Sequence, residues 1–220
     1  MTVKPQKPTC ALEPIHLDNP NHFAKLQTQR QLCGWDHEIT TLKKWATKQR
    51  EGLKSLFWIA IPDPSITNIN STIYVGHIAL DAYADPPDPD LARADKSILT
   101  VHSFFIMPEY RALRLGRRAM ALVEEMAVEE PRCRLITLTA LSKRYMYEEG
   151  PEGRGIWARI GMDQPAFSIQ EWYEKGGYVA WKEGPLYEAS TVDGGVVVLW
   201  EAFMRKEVRV EGCAERKLMK

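Results

Sequence analysis

No apolar run in this sequence reaches the ~20 residues that a membrane-spanning helix needs. The opening residues, MTVKPQKPTC, hold no apolar stretch of the kind that forms a secretory leader. Cysteine is scarce. The four present, Cys10, Cys33, Cys133 and Cys213, fall into no CxxC or Cys/His spacing of a zinc site. Reduced, mostly buried thiols in an intracellular, cytoplasmic protein are expected, with no bound metal. Net charge is lacking too, since 29 Lys+Arg face 29 Asp+Glu. A balance of zero supplies no bulk attraction for nucleic acid or an anionic membrane, so neither is expected as a partner. There is no internal repeat, low-complexity tract, Walker loop, GxGxxG, GxSxG or HExxH. Asn70-Ser71-Thr72 has the form of a glycosylation sequon, which without a secretion signal reads as chance.

What is present is the composition of a globular protein. A chain of 220 residues, 45% hydrophobic and 26% charged, can bury a sizeable core and suggests one large domain. Residues 1–10 and 209–220 read as flexible tails around a domain spanning 11–208. A first strand is expected over Ala11 to Leu17. Asp18 or Asn19 then caps a helix with Pro20 just inside it, apolar at Phe23, Leu26, Leu32 and Cys33 and ended by Gly34. A second helix is expected from Asp36 to Arg50, with Ile39, Leu42, Trp45 and Ala46 as its stripe. Leu53 to Pro62 and Ser71 to Tyr83 read as hairpin strands around a polar turn, and a Pro- and Asp-rich loop fills 84–95. Further on, Arg134 to Thr139 is a short β-branched strand. An interrupting stretch, 140–165, precedes a helix capped by Ser168 with Glu171 three residues later. Strands at Tyr178 to Lys182 and Val196 to Met204 follow.

The chain is organised around Leu99 to Glu130. A strand-like run to Met107 is stopped by Pro108. A basic turn, Arg111 to Gly116, leads into a helix from Leu115 to Glu130 with its apolar stripe at Ala119, Leu122, Val123, Met126 and Ala127. The charges of that helix oppose its dipole: Arg117 and Arg118 lie in the first turn, while Glu124, Glu125, Glu129 and Glu130 crowd the end. An anion bound on the free N–H groups of the first turn removes the conflict. The plainer alternative is an ordinary strand–turn–helix unit with solvated arginines. Strand, helix and strand in this order imply a right-handed parallel crossover.

The run PEYRALRLGRRAM resembles the acyl-CoA binding motif of the GNAT superfamily of N-acetyltransferases, with Arg111 in the first place of the motif and Gly116 in the last. Arg114 stands where that family usually has its first glycine. Downstream, Trp172-Tyr173-Glu174-Lys175-Gly176-Gly177-Tyr178 is similar to the family's second signature, in the expected order. The resemblance covers about residues 11–208, and the fuller wording is most similar to a subgroup seen in fungi. It implies an α/β (α+β) fold with a central mixed, mostly antiparallel sheet of about seven strands, a splayed parallel pair and flanking helices.

By that resemblance the cosubstrate is acetyl-CoA. Its pantetheine arm would lie along the backbone of Phe104, Phe105 and Ile106. Its pyrophosphate would lie on Arg111, Ala112, Leu113, Arg114, Leu115, Gly116 and Arg117. Tyr173 takes the place of the tyrosine that protonates the departing thiolate, or is a core tyrosine. His102 lies where many relatives carry a base, or is a satisfied histidine within the sheet. Glu171 and Glu174 are weaker candidates for that role. The acceptor would be a primary amine, probed by Trp35 and Asp36 at the joint of the first two helices and by Tyr145 and Trp157 in the insertion. The insertion is otherwise a packing embellishment or a dimer contact, and Asp36 otherwise a solvated cap. The implied activity is direct acetyl transfer to a small-molecule amine by a monomer or homodimer. The alternatives are a peptide or protein acceptor, or a non-catalytic acyl-CoA-binding module.

Overall fold

The computed structural model describes residues 9–63 and 71–208. Residues 1–8, 64–70 with the sequon's Asn70, and 209–220 with Cys213, expected as tails and a turn, lie outside the described residues. The described chain forms two compact units, one running to Ile136 and including Val208, the other spanning Thr137–Glu207.

In the first unit four strands follow one another as an antiparallel meander: β1 (Ala11–Pro14), β2 (Lys54–Pro62), β3 (Thr72–Asp81) and β4 (Ile98–Ile106). Three helices belong to it: α1 (Pro20–Cys33), α2 (Ile39–Arg50) and α3 (Leu115–Glu129). The start and stop of α1 follow the local chemistry. Asn19 accepts a hydrogen bond from the Asn21 N–H, Pro20 holds the first position, and Gly34 takes a left-handed conformation (φ 87°) that returns the last carbonyls their partners. Leu26 of α1 and Leu42, Trp45 and Ala46 of α2 bury against Leu56 and Trp58 of β2 and Ala79 of β3. In α3 the buried residues are Leu115, Ala119, Met120, Val123 and Ala127, which is the inner face of an amphipathic helix.

The apolar side expected for α1 differs from the observed one. Leu32 is exposed, while Gln29 and Arg30 are buried beside Leu26. The reason lies beneath the helix, where the sheet presents His77, fully buried, and the two polar residues satisfy it. Likewise α2 begins at Ile39 rather than Asp36, because Asp36 sits at φ 48° in the joint between the helices.

Strand β5 (Leu135–Leu141) opens at the end of the first unit and runs into the second. There the chain forms two single-turn helices, α4 (Arg144–Tyr147) and α5 (Ile156–Arg159), then α6 (Ile169–Glu174). An antiparallel hairpin closes it: β6 (Val179–Ser190) and β7 (Val196–Glu207). β6 is far longer than its apolar start suggested. Register shifts after Ala180 and Pro185 let Gly184 and Pro185 stay within the ladder. Across the two units the described residues hold seven strands with helices between them, a mixed α/β fold, and the strand pairs within each unit are antiparallel.

Candidate active site

In the first unit the site is built on an irregularity in β4. His77 of β3 pairs with Phe105, but Ala79 pairs with His102, so two residues of β4 oppose Ile78. Ser103 absorbs the extra residue at φ 52°. On a regular strand His102 would share a face with Phe104. The bulge instead places His102 and Phe105 on the face of β3 that carries His77, Ala79 and Asp81. Directly beside it, Gly76 faces Ile106, and a Cβ at Gly76 would lie 2.1 Å from the carbonyl oxygen of Phe105. Only glycine permits that approach.

On this face buried and half-buried polar residues form two linked groups. In one, Lys54 Nζ donates to Asp81 Oδ2 at 2.6 Å, with both side chains essentially inaccessible. His102 Nδ1 lies 3.9 Å from the same carboxylate oxygen and 2.6 Å from Ser103 Oγ. The Trp45 ring meets His102 edge to face at 5.9 Å and carries the Lys54 ammonium 4.2 Å from its centre. In the other, His77 Nδ1–H donates to Gln29 Oε1 at 2.8 Å, which leaves Nε2 to accept from Arg30 at 3.5 Å. Arg30 also donates to Asp36 at 3.0 Å.

Burial controls the protonation states. It pushes the Asp81 carboxyl up to about 6 against the pull of Lys54, and it lowers Lys54 against the pull of Asp81. Burial, with the Lys54 and Arg30 cations, holds His102 well below the usual histidine value. Burial and the same two cations, Arg30 first, do so for His77. Both imidazoles are neutral at neutral pH.

The basic turn follows β4. A 3₁₀ turn covers Pro108–Leu113, and Arg111 folds back to donate to the Ile106 carbonyl at 3.0 Å, its guanidinium 5.8 Å from the Phe105 ring centre. Ala112 and Leu113 are exposed. Arg114 caps α3 in the left-handed region (φ 57°, ψ 19°), the conformation a glycine would take there. This costs an arginine on the order of 1 kcal/mol. Leu115 is buried as a plug, Gly116 is half-buried, and Arg117 points to solvent. No side chain caps the helix and its first turn holds no acid. The leading N–H groups of α3 are therefore available amid Arg111, Arg114 and Arg117, and that donor set fits a diphosphate. Trp35 and Asp36 sit half-buried in the α1–α2 joint, with the Asp36 carboxylate taken up in part by Arg30.

In the second unit Tyr173 lies on α6, buried, with the rings of Trp172 and Tyr178 edge-on at 4.9 and 5.9 Å. Burial, and secondarily the Glu201 carboxylate, raise its hydroxyl pKa. Glu201 itself is buried on β7 and pushed up to about 8 by desolvation. The insertion docks on α6. The Lys143 N–H donates to Gln170 at 2.8 Å, Lys143 Nζ to Glu174 at 3.1 Å, and the Tyr147 hydroxyl to Glu171 at 2.8 Å. Tyr145 and Trp157 form the interior of that docking. The Trp157 indole donates to the Tyr145 carbonyl at 2.8 Å, and the Tyr145 hydroxyl accepts from the Trp200 N–H at 2.7 Å.

Sequence reasoning passed over Lys54, Asp81 and Glu201. Each is a single charge set in an apolar strand, in LKSLFWIAIP, YVGHIALDA and VVVLWEAFM, and that interruption was the available signal. Among the described residues no cluster of His, Cys, Asp and Glu is arranged to hold a metal ion, and no helix is long and apolar enough to cross a membrane.

Residues 30–148 match the model of the acetyltransferase (GNAT) family. No curated protein matches the sequence at a significant level. Solved structures share the fold at low identity. The aminoglycoside 6'-N-acetyltransferase from Enterococcus faecium is 12% identical with a TM-score of 0.56, over 90% of this chain and 97% of its own. Arabidopsis thaliana NAA60 in complex with acetyl-CoA is 12% identical with a TM-score of 0.57, over 91% and 99%. A spermidine N-acetyltransferase SpeG chimera from Vibrio cholerae and hSSAT is 9% identical with a TM-score of 0.54, over 90% and 95%.

Proposed function

The chain belongs to the acetyltransferase (GNAT) family, and on that premise we propose that it moves the acetyl group of acetyl-CoA onto the primary amine of a small molecule, by direct attack in a ternary complex. The observation that carries the reading is the uncapped, arginine-flanked N-terminus of α3 directly after a bulged β4 that turns a neutral histidine to the Phe105 face. The fold relatives act on, or are named for, an aminoglycoside and spermidine, and one is solved with acetyl-CoA. This supports an amine acceptor. The zero net charge, with no strong field to steer a highly charged partner, favours a small one.

Each residue has a task. The N–H groups of Ala112 to Arg117, with Arg111, Arg114 and Arg117, hold the pyrophosphate, and the backbone of Phe104, Phe105 and Ile106 aligns the acyl arm. Acetyl-CoA supplies an acetyl group already activated as a thioester. His102, neutral at working pH, takes the proton that the acceptor ammonium must lose. Tyr173 keeps its hydroxyl proton throughout the physiological range and donates it toward the departing thiolate. Trp35 and Asp36 flank the amine from the α1–α2 joint. Tyr145 and Trp157, enclosed within their own unit, serve the acceptor by fixing the insertion against α6. The left-handed Arg114 keeps the turn that glycine would make, so its presence does not argue for a silent, non-catalytic module.

Calorimetry with acetyl-CoA tests the first half, and an amine screen that follows thiol release tests the second. Binding by the wild type that weakens ~10-fold or more in Arg111→Ala/Arg117→Ala supports the cradle. Turnover on small amines above peptide amines supports the acceptor class. No binding by the wild type overturns the reading.

A further inference from the structure

The Nδ1 side of His102 is the side the structure invests in. Three facts meet there: the Asp81 carboxylate oxygen at 3.9 Å, the Ser103 hydroxyl at 2.6 Å, and the left-handed backbone that brings Ser103 to that nitrogen. Neutral imidazole carries its single proton on one nitrogen or the other. With the proton on Nδ1, the N–H points its positive end at Ser103 Oγ and the carboxylate behind it. With the proton on Nε2, a lone pair faces that same carboxylate, and the two repel. The Ser103 hydroxyl, which can donate as well as accept, eases that repulsion only in part, because the carboxylate charge at 3.9 Å still faces the lone pair. Lys54, at 2.6 Å from the shared oxygen, opposes neutralisation of that carboxylate. The Trp45 ring, edge-on to His102, restricts rotation of the imidazole. The other charged or titratable groups near this face are Arg30 and Asp36 from α1 and the joint, and His77 from β3, which are engaged with one another, and Tyr83 just past β3, whose ring lies 5.7 Å from the Lys54 ammonium.

We infer that Asp81 and Ser103 are positioning residues that hold His102 as the Nδ1–H tautomer, so that Nε2 is the nitrogen that takes the acceptor's proton, with Lys54 keeping Asp81 ionised for the task. The step balances simply. The ammonium N–H bond breaks, the proton goes to Nε2, and the imidazolium that forms keeps both N–H groups, the inner one still directed at Ser103 and Asp81. The inference rests on the reading of His102 as the base and extends it to three residues outside the two signature stretches.

The test uses the full chain labelled with ¹⁵N-histidine. The His102 signals are assigned by their loss in His102→Gln. At neutral pH the expected spectrum shows a pyridine-type nitrogen at Nε2 and a pyrrole-type nitrogen at Nδ1. Asp81→Asn moves the population toward the other tautomer and lowers kcat ~10-fold or more with KM for acetyl-CoA unchanged. Ser103→Ala, which leaves the buried ion pair intact, gives a smaller shift in the same direction. It keeps the test available if Asp81→Asn does not fold. A pyridine-type Nδ1 in the wild type overturns the inference, and so do His102 signals that neither variant moves. His102→Gln with wild-type kcat overturns the base assignment separately, whatever the spectrum shows.

Discussion

The charges packed under the helices of the first unit and those on the insertion of the second meet water in opposite ways. In the first, Lys54, Asp81, Arg30 and His77 are withdrawn from water and each depends on a specific partner. In the second, the insertion is laced with ion pairs at the surface: Arg144 with Glu148, Arg154 with Glu149, and Arg159 with Glu152. The chemistry of the partners is the same, but the solvent differs. Water already satisfies the surface pairs, so losing one changes little. A buried charge left alone has nothing to turn to, so losing one partner is severe. The difference shows where position and protonation are controlled. The buried groups lie against His102, the residue proposed to move a proton, whereas the surface pairs decorate a brace.

The sharpest way to break the comparison is to strip one buried partner. Asp81→Ala leaves the Lys54 ammonium enclosed and should lower stability by about 3–5 kcal/mol, read by denaturant unfolding. Lys54→Met/Asp81→Leu, which removes both charges, should recover most of that loss. Next in size is Tyr173→Phe in the second unit. It should reduce kcat by ~10²-fold while leaving acetyl-CoA affinity unchanged, because only the donated proton is lost. Acid comes third. The folded chain holds His77 and His102 neutral well below the pH at which the unfolded chain protonates them, so their contribution is present above about pH 6.5 and is lost as pH falls below it. Asp81 works the other way. Its folded value of about 6 lies above the ordinary 3.8, so the folded state takes up that proton first and gains on acidification from 6 toward 4. Glu201, with a folded value of about 8 against the ordinary 4.5, acts in the same sense as Asp81, so Glu201→Gln should steepen the fall in melting temperature below pH 6.5 that the two imidazoles cause. Arg114→Gly should leave stability nearly unchanged, since relief of the left-handed strain (~1 kcal/mol) is offset by the added freedom of the unfolded chain. Its acetyl-CoA affinity should drop a few-fold through the lost cation, as calorimetry would show. Glu149→Gln, at the exposed end of the series, should leave the melting temperature where it is.

Local chemistry and the β2–β3 hairpin were legible in the sequence, and the side-chain partnerships across strands were not. The Asn19 cap, the Pro20 entry and the Gly34 exit of α1 depend on residues within a few positions of one another. So do the Ser168–Glu171 box of α6 and the stripe of α3. The basic turn at Arg111 to Arg117 was legible for the same reason, because a helix terminus is made by its own neighbours. The ion pair of Lys54 with Asp81 joins residues 27 apart and exists only in one register of β2 on β3. The orientation of His102 depends on a bulge that no residue type announces, since Ser103 takes a left-handed conformation that serine seldom adopts. The burial of Gln29 and Arg30 runs against the usual preference of such residues for solvent, and it becomes intelligible only once His77 is known to lie beneath them. Tyr145 and Trp157, read from the sequence as pocket-wall candidates, are buried within the second unit, a placement that aromatic content alone does not reveal.

Gly76 has a consequence for how the first unit assembles. The gap between its Cα and the Phe105 carbonyl admits no further carbon, so strand β4 can seat against β3 only where a hydrogen atom stands in place of a side chain. A slip of one position would offer Val75 or His77 to the same carbonyl and fail on contact. Glycine here acts as an alignment notch. It fits the alignment in which the chain's proposed base and its charge partners come within reach of each other.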